Sequence, residues 1–530
     1  MGKRYIKNIY FYKRDLWFSI LGKKIANARP LINISTKLGF DETRRYFSDN
    51  EVQSSDLNIR LKSAVFAFIQ HYIRKYEILP TLMLKSEGKN NLGKNTLFIK
   101  PGIRKYSVKS EIKYRHILSR YSGFFVPFRV IYSICLHIRD IKKRPKASKI
   151  DVLTIYKKGP GSHFQKIAQS IFVEKEELKV LYYNEYDYIF RPLKISRKIY
   201  SQFFRDLKKL DNILTFGVKS ILALEFIRFQ SLMEFYKPHL IFCFNEHSKM
   251  QGLLSYVAQL NDIGIVNMAH GFSRGEFRAN SPYDYHIVFG QASRNEILKM
   301  NGDIDGEIIP LGAPNTDELF KMSRTGEGSL SHFPQNKLKK ILIFSTYVYK
   351  KGNINFLINN FSIIKRLSEI SPHYRILIKK HPNSYRFAHL RNLEDDFFRG
   401  CMNIEILPFE TPSIHTIKSC DLGITIGMSN AGYETAILGK PLIVLDLYNS
   451  PDFFEYYKYN YALKAEDFDS LFQAIKKVES GNHPYSDGIK KMLDYYYSNQ
   501  GYAGEEIYRF LLKIVDHRDK KTNDSNIKNI

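Results

Sequence analysis

Tryptophan occurs once in this 530-residue chain, at Trp17, and cysteine four times, at Cys135, Cys243, Cys401 and Cys420. The cysteines stand far apart with no paired spacing. That argues against a disulfide framework and a zinc site, and it suits a reducing cytoplasm. Long apolar runs are also missing. The longest, SGFFVPFRVIYSICLHI, contains Pro127, Arg129 and His137, so a bilayer-spanning helix is not expected. The first residues, MGKRYIKNIYFYKRDLW, interrupt their apolar side chains with charge every few positions, unlike the core of a secretory signal. Acidic side chains are scarce in one place only. Residues 1–150 hold 32 Lys+Arg against 10 Asp+Glu, which is +22 of the chain's +28, and the rest carries +6.

The basicity therefore belongs to an N-terminal block and not to the whole chain. Such a block suits anionic lipid headgroups or nucleic acid. It shows no zinc-finger spacing, RNP motif or basic zipper, and its cations are interleaved with Tyr, Phe, Ile and Leu. An anionic membrane surface is the expected partner, with no nucleic acid, and the location expected is cytoplasmic and peripheral at the membrane. Helices are expected near residues 57–76 and 109–143, with small strands near 96–108. The segment FFVPFRVIYSICLHIRDIKKRPK suits either an interfacial helix or a helix packed on the next domain.

What is present after residue 150 is a repeating pattern. DVLTIY is a short buried strand, KKGPGSH a glycine-rich loop and FQKIAQSIF a helix, the opening of a βαβ unit. PHLIFCFNE, GIVNMAH and YHIVFG continue it as strands. KKILIFSTY restarts it, followed by RILIKKHP, NIEILPF, DLGITIG and PLIVLDL, with helices between them. Alternation of this kind predicts parallel sheets covered on both faces. The fold class expected is α/β, with two doubly wound, Rossmann-like domains facing a cleft and an extra basic, mainly helical N-terminal region. The expected boundaries are 1–147, 148–312 and 313–530. Ligands of such domains lie at the carboxyl ends of the strands.

Two stretches at strand ends carry candidate chemistry. In ITIGMSNAGYETAILGKP a strand delivers Ser429 and Asn430 into a helix, whose free N–H groups and dipole favour an anion. Gly432 would let a phosphate approach the backbone, and Glu434 could accept from a sugar hydroxyl. The same residues would also serve as an ordinary N-cap with a first-turn carboxylate. In RILIKKHP, Lys380 and His381 end another strand, with Pro382 stiffening the chain behind them. The small hydroxyl pair Ser345 and Thr346 ends a third.

These motifs, KKHP with SNAGYETAILGKPLIVL and the linker-like PLGAPNTDEL, resemble the nucleotide-binding half of GT-B glycosyltransferases of the HP-motif type, over residues 150–515. The similar families are capsular Kdo transferases, bacterial sialyl- and polysialyltransferases and, more distantly, teichoic-acid glycerophosphotransferases. The resemblance implies that His381 holds a donor phosphate, that Ser429 and Asn430 bind it at the helix start, and that Glu434 meets the ribose. Relatives often carry two adjacent hydroxyl residues where this chain has Ser429–Asn430, which leaves the donor class open.

A transferase needs a base for the acceptor hydroxyl. Glu246, in FCFNEHS, and His270, in NMAHGFSRGEF, end successive strands and remain alternatives. The His270–Gly271 pair resembles the HG of the teichoic-acid enzymes, whereas sialyltransferase-like relatives use a carboxylate. Gly161, His163 and Arg274 are the acceptor-side candidates. No DxD motif stands at a strand end, so transfer without a metal or other cofactor is expected, the cationic residues neutralising the leaving phosphate. The expected partners are a nucleotide-activated sugar, preferably a CMP-linked nonulosonate such as sialic acid or Kdo, and a glycan or lipid-linked glycan acceptor. A CDP-glycerol-type donor, a UDP-sugar and a catalytically inert scaffold for capsule assembly are the alternatives.

Overall fold

The computed structural model describes Arg60, Leu61 and most of residues 150–527; the gaps lie chiefly at 157–162, 185–195, 209–215, 245–250, 272–281, 326–337, 347–353 and 382–389. The described residues form two α/β units, each built on a six-stranded sheet in which every pairing is parallel.

The first unit contains β1 (Val152–Tyr156), α1 (His163–Phe172), β2 (Val180–Asn184), α2 (Arg197–Lys208), α3 (Phe216–Tyr236), β3 (Leu240–Phe244), α4 (Gln251–Leu260), β4 (Gly264–Met268), β5 (Tyr285–Val288), α5 (Gln291–Lys299) and β6 (Glu307–Pro310). Its strand order is β2-β1-β3-β4-β5-β6. β3 and β4 are buried at every position. That is what helices on both faces require, and it is why these strands read as continuous apolar runs instead of alternating ones.

The second unit contains α6 (Asp317–Arg324), β7 (Lys340–Phe344), α7 (Ile354–Ile370), β8 (Arg375–Lys379), α8 (Leu393–Phe397), β9 (Ile404–Leu407), α9 (Ser413–Lys418), β10 (Leu422–Ile426), α10 (Ala431–Ile437), β11 (Leu442–Leu445), β12 (Ala462–Ala465), α11 (Phe468–Glu479) and α12 (Asp487–Tyr496). The order β12-β11-β10-β7-β8-β9 is the dinucleotide-fold order, with the reversal of winding between β7 and β10. One sheet face supplies Ile341, Ile343, Ile376, Ile378, Ile424 and Ile426 to a core with Phe361, Ile364 and Leu367 of α7 and Leu471 and Ile475 of α11. Removing any of these isoleucines to alanine would cost roughly 2–5 kcal/mol. Asp421, just before β10, accepts from the N–H groups of Lys339 and Lys340 at 2.9 Å each and pins the start of β7 beside it.

Two tertiary features depart from the expected domain boundaries. The second unit is continuous over Asn315–Gly501, but the chain from Tyr502 onward belongs to the first unit and not to the domain expected at 313–530. Helix α13 (Ala503–Ile527) packs on α1. Tyr508 meets Phe172 edge-on at 6.3 Å and donates to Glu177, Phe510 lies at 5.1 Å from Tyr285, and Arg518 donates to the carbonyl of Asp262 at 2.6 Å. The basic block is not wholly separate either. Arg60 and Leu61 are helical and buried in the first unit. The Arg60 guanidinium pairs with both Asp284 and Asp305 and donates to the Ser255 carbonyl at 3.2 Å. The other elements expected in residues 1–147, the interfacial segment included, lie outside the described residues. Among the described residues, no helix is long and apolar enough to cross a membrane.

β2, β6 and β12, all edge strands, were not expected as strands. Their short runs, VLYYN, ALKA and EIIP, set half-buried or exposed positions among buried ones and lack the apolar run that marks a central strand.

Candidate functional site

At the carboxyl edge of the second sheet, β7 runs into Ser345 and Thr346, β8 into Lys380 and His381, and β10 into Gly427, Met428, Ser429 and Asn430 before α10 begins. β7 pairs with both β8 and β10, so these ends are neighbours at the reversal of winding, where doubly wound sheets open a crevice. Gly427 turns the chain with φ 65°, the left-handed region that favours glycine, while its N–H still reaches the Leu445 carbonyl at 2.8 Å.

The alternation of side chains splits the edge into two faces. Ile341 and Ile343 point into the α7/α11 core, and Ser345 continues on that face. There its hydroxyl donates to the Glu394 carboxylate at 2.8 Å. Lys380 follows Ile376 and Ile378 to the same face, where its ammonium pairs with Asp395 and reaches the Arg391 carbonyl at 3.4 Å. Lys380 is thus held by α8 and its approach, and is not presented to α10 beside His381. Thr346 and His381 fall on the opposite face. That is the face α10 covers, since a Cβ on Gly423 would lie 2.8 Å from the Thr435 side chain. Thr346 is buried and His381 half-buried.

Helix α10 is held from below by tyrosines. Tyr456 donates to the Ser429 carbonyl at 2.5 Å and Tyr461 to the Gly432 carbonyl at 2.9 Å, while Tyr433 donates to the Phe454 carbonyl at 2.6 Å. Their rings stack edge-on, with Tyr433–Tyr456 centroids 5.1 Å apart. Burial, with neighbouring phenols adding to it, pushes the Tyr433 hydroxyl well above the ordinary tyrosine range. The same shell gives Gly432 a packing role. A Cβ there would meet the Tyr456 hydroxyl at 2.4 Å and Leu442 at 2.9 Å, so glycine makes room for the tyrosine that fixes Ser429. The Ser429 hydroxyl itself accepts from the Ala431 N–H at 3.4 Å, a long capping contact, and Asn430 makes no side-chain cap. Glu434 is half-buried on the first turn of α10 and faces Tyr497 electrostatically.

Sequence reasoning missed Glu394. Within LEDDF it is the one carboxylate turned inward, at 1 % exposure, while Asp395 and Asp396 face solvent. Burial raises its pKa, opposed by the Ser345 hydrogen bond and by Lys380, with Asp395 adding to the rise. Three acids in five residues signal a solvated helix start; only the register of α8 against β7 singles out one of them.

Glu246, His270, Arg274, Gly161 and Pro382 lie outside the described residues, and His163 is described only as the first residue of α1. Among the described residues, no group of three or more His, Cys, Asp or Glu side chains is arranged to hold a metal ion.

No family model and no curated protein matches the chain. Among solved structures it is similar to UDP-GlcNAc 2-epimerase from Neisseria meningitidis bound to UDP-GlcNAc, at 17% identity over 69% of this chain and 100% of that one, with a TM-score of 0.43. It is similar to the wall teichoic acid polymerase TagF, at 14% identity over 74% and 98% of the two chains, TM-score 0.44. An α,α-trehalose-phosphate synthase (UDP-forming) from Burkholderia vietnamiensis aligns at 10% identity over 72% and 100%, TM-score 0.37.

Proposed function

We propose that this chain is a GT-B glycosyltransferase that uses a nucleotide-activated sugar. The observation that carries this reading is the placement of Ser345, Thr346, His381 and Ser429 at the carboxyl ends of β7, β8 and β10, neighbouring strands at the reversal of the second sheet. Small hydroxyls and an imidazole at that edge suit a nucleotide and its phosphate, which need hydrogen bonds and partial positive charge in a confined place. In this scheme His381 contacts the donor phosphate, Ser429 and Asn430 flank it, and Glu434 takes a ribose hydroxyl. Lys380 is left out, because Asp395 engages its ammonium.

The reaction is attack by an acceptor hydroxyl on the anomeric carbon. The bond from that carbon to the phosphate oxygen breaks, and the nucleotide leaves with the electron pair. The hydroxyl proton passes to Glu246 or His270. A CMP-linked acidic sugar, a nonulosonate or Kdo, is the preferred donor and a bacterial surface glycan the preferred acceptor. Transfer is expected to proceed without a metal ion. The basic N-terminal block would hold the enzyme to an anionic membrane surface, on the cytoplasmic side.

The His270–Gly271 pair favours a second reading, a polyol-phosphate transferase acting on a CDP-glycerol-type donor with His270 as base. Donor hydrolysis by wild type and His381→Ala across CMP-sialic acid, CMP-Kdo, CDP-glycerol and UDP-sugars separates the possibilities. Turnover of one CMP-sugar, reduced at least 100-fold in the variant and unaffected by EDTA, is expected; removing one preorganised contact to developing charge costs on the order of 10²–10³ in rate. Turnover of CDP-glycerol instead would move the assignment to the second reading. Absence of binding to every nucleotide would leave a scaffold protein.

A further inference from the structure

The contact between Ser345 and Glu394 decides what the β7 end of this crevice can recognise. A serine hydroxyl owns one proton and two lone pairs. Two acceptors lie within reach of that proton, and both belong to the protein: Glu394 Oε1 at 2.8 Å and the Thr346 carbonyl at 3.3 Å. The shorter and better partner is a carboxylate drawn into the fold, with Glu394 1 % and Ser345 6 % exposed. Its other oxygen, Oε2, is buried without a hydrogen-bond partner. A buried oxygen left unmet normally costs about 1–3 kcal/mol. A helix that turns a lone carboxylate inward at that cost, against the end of the strand at the winding reversal, orients the Ser345 hydroxyl there.

We infer that Glu394 is a positioning residue that fixes Ser345 as a hydrogen-bond acceptor, so that the β7 end of the crevice selects ligand groups that donate, such as a ribose hydroxyl or an exocyclic amine, and disfavours phosphate oxygens. The inference rests on the donor-binding reading above and narrows it: Ser345 meets the nucleoside part of a donor, and the phosphate belongs to the α10 side with His381. Lys380 and Asp395 are the charged groups facing Glu394 from β8 and α8. They neutralise one another, leaving the Glu394–Ser345 contact as the polar feature oriented along the strand end.

Titration calorimetry on the full chain with CMP, its 2′-deoxy and 3′-deoxy analogues, and UMP tests this. Wild type should lose about 10-fold in affinity when one of these donor groups is removed, the worth of one hydrogen bond. In Ser345→Ala and in Glu394→Leu the same replacement should cost less than about 2-fold. Glu394→Gln keeps an acceptor oxygen for Ser345 and should retain the discrimination. A merely structural role would lower affinity for all four probes together and leave their ratios unchanged. Discrimination that survives in Ser345→Ala, disappears in Glu394→Gln, or is absent from wild type that binds CMP overturns the inference. Should Glu394→Leu fail to fold, the other two variants still decide it. If neither CMP nor UMP binds wild type, the donor-binding reading itself is what has failed.

Discussion

The two units share a design and differ in how far along the chain each must reach to complete it. Among the described residues the second is drawn from one continuous stretch, 315–501, and its reversal edge is supported by tyrosines from within that stretch. The first recruits Arg60 from the N-terminal block and α13 from the far end of the chain, and both bring charge or phenol hydroxyls to carboxylates. Integrity in the second unit is therefore a matter of local burial. In the first it depends on long-range contacts that pair carboxylates, Asp305 with Arg60 and Asp284 with Arg60 and Arg518.

That contrast predicts a graded set of effects. The largest belongs to Arg60→Ala, which strips Asp284 and Asp305 of a shared, buried partner. It should cost on the order of 3 kcal/mol. Hydrogen exchange should rise in β4 and β5 while β7 and β10 keep their protection. Equal losses in both units would erase the distinction. Gly432→Ala comes next. Its methyl group would collide with the Tyr456 hydroxyl, and overpacking of this kind costs about 1–3 kcal/mol. The expected outcome is faster exchange confined to the second unit and weaker donor binding. Unchanged binding would separate the tyrosine shell from the site.

The smallest effect is one of pH. Burial, with the Glu177 carboxylate adding to it, pushes the Tyr508 hydroxyl up to about 12 from an ordinary value of 10. A phenol whose folded pKa is raised contributes stability in full below pH 10 and loses it as pH rises through about 12. The docking of α13 should loosen over that alkaline window. Tyr508→Phe, expected to cost about 1 kcal/mol at neutral pH, should remove the Tyr508 share of the pH dependence. An alkaline transition identical in the variant would assign it elsewhere.

The central strands were legible because two-sided burial leaves an unbroken apolar run, as in LIFCF of β3 and LGITI of β10. The strand ends were legible for the same reason, since the polar residues that stop such runs, Ser345, Lys380 and Ser429, mark the carboxyl edge. Of the four edge strands only β9, with the run IEIL, was legible; β2, β6 and β12 escaped because their side chains answer partly to solvent. The spacing KKHP placed Lys380 and His381 next to each other, but a strand sends successive side chains to opposite faces, and only the sheet shows that Asp395 waits on one of them. Gly432 read as room for a ligand at the helix start, and only the structure shows that Tyr456, 24 residues later in the chain, fills its Cβ side.

By itself, the sequence determined the α/β class, the two doubly wound halves and the strand ends at which chemistry could gather. These follow from periodicities of two and 3.6 residues, which are written into any short window of the chain. Tertiary structure alone decided that residue 60 and the closing helix complete the first unit, that Glu394 and not Asp395 turns inward to Ser345, and which lysine a carboxylate engages. Such pairings depend on side chains brought together across tens or hundreds of residues, and no local pattern encodes which partner will be there.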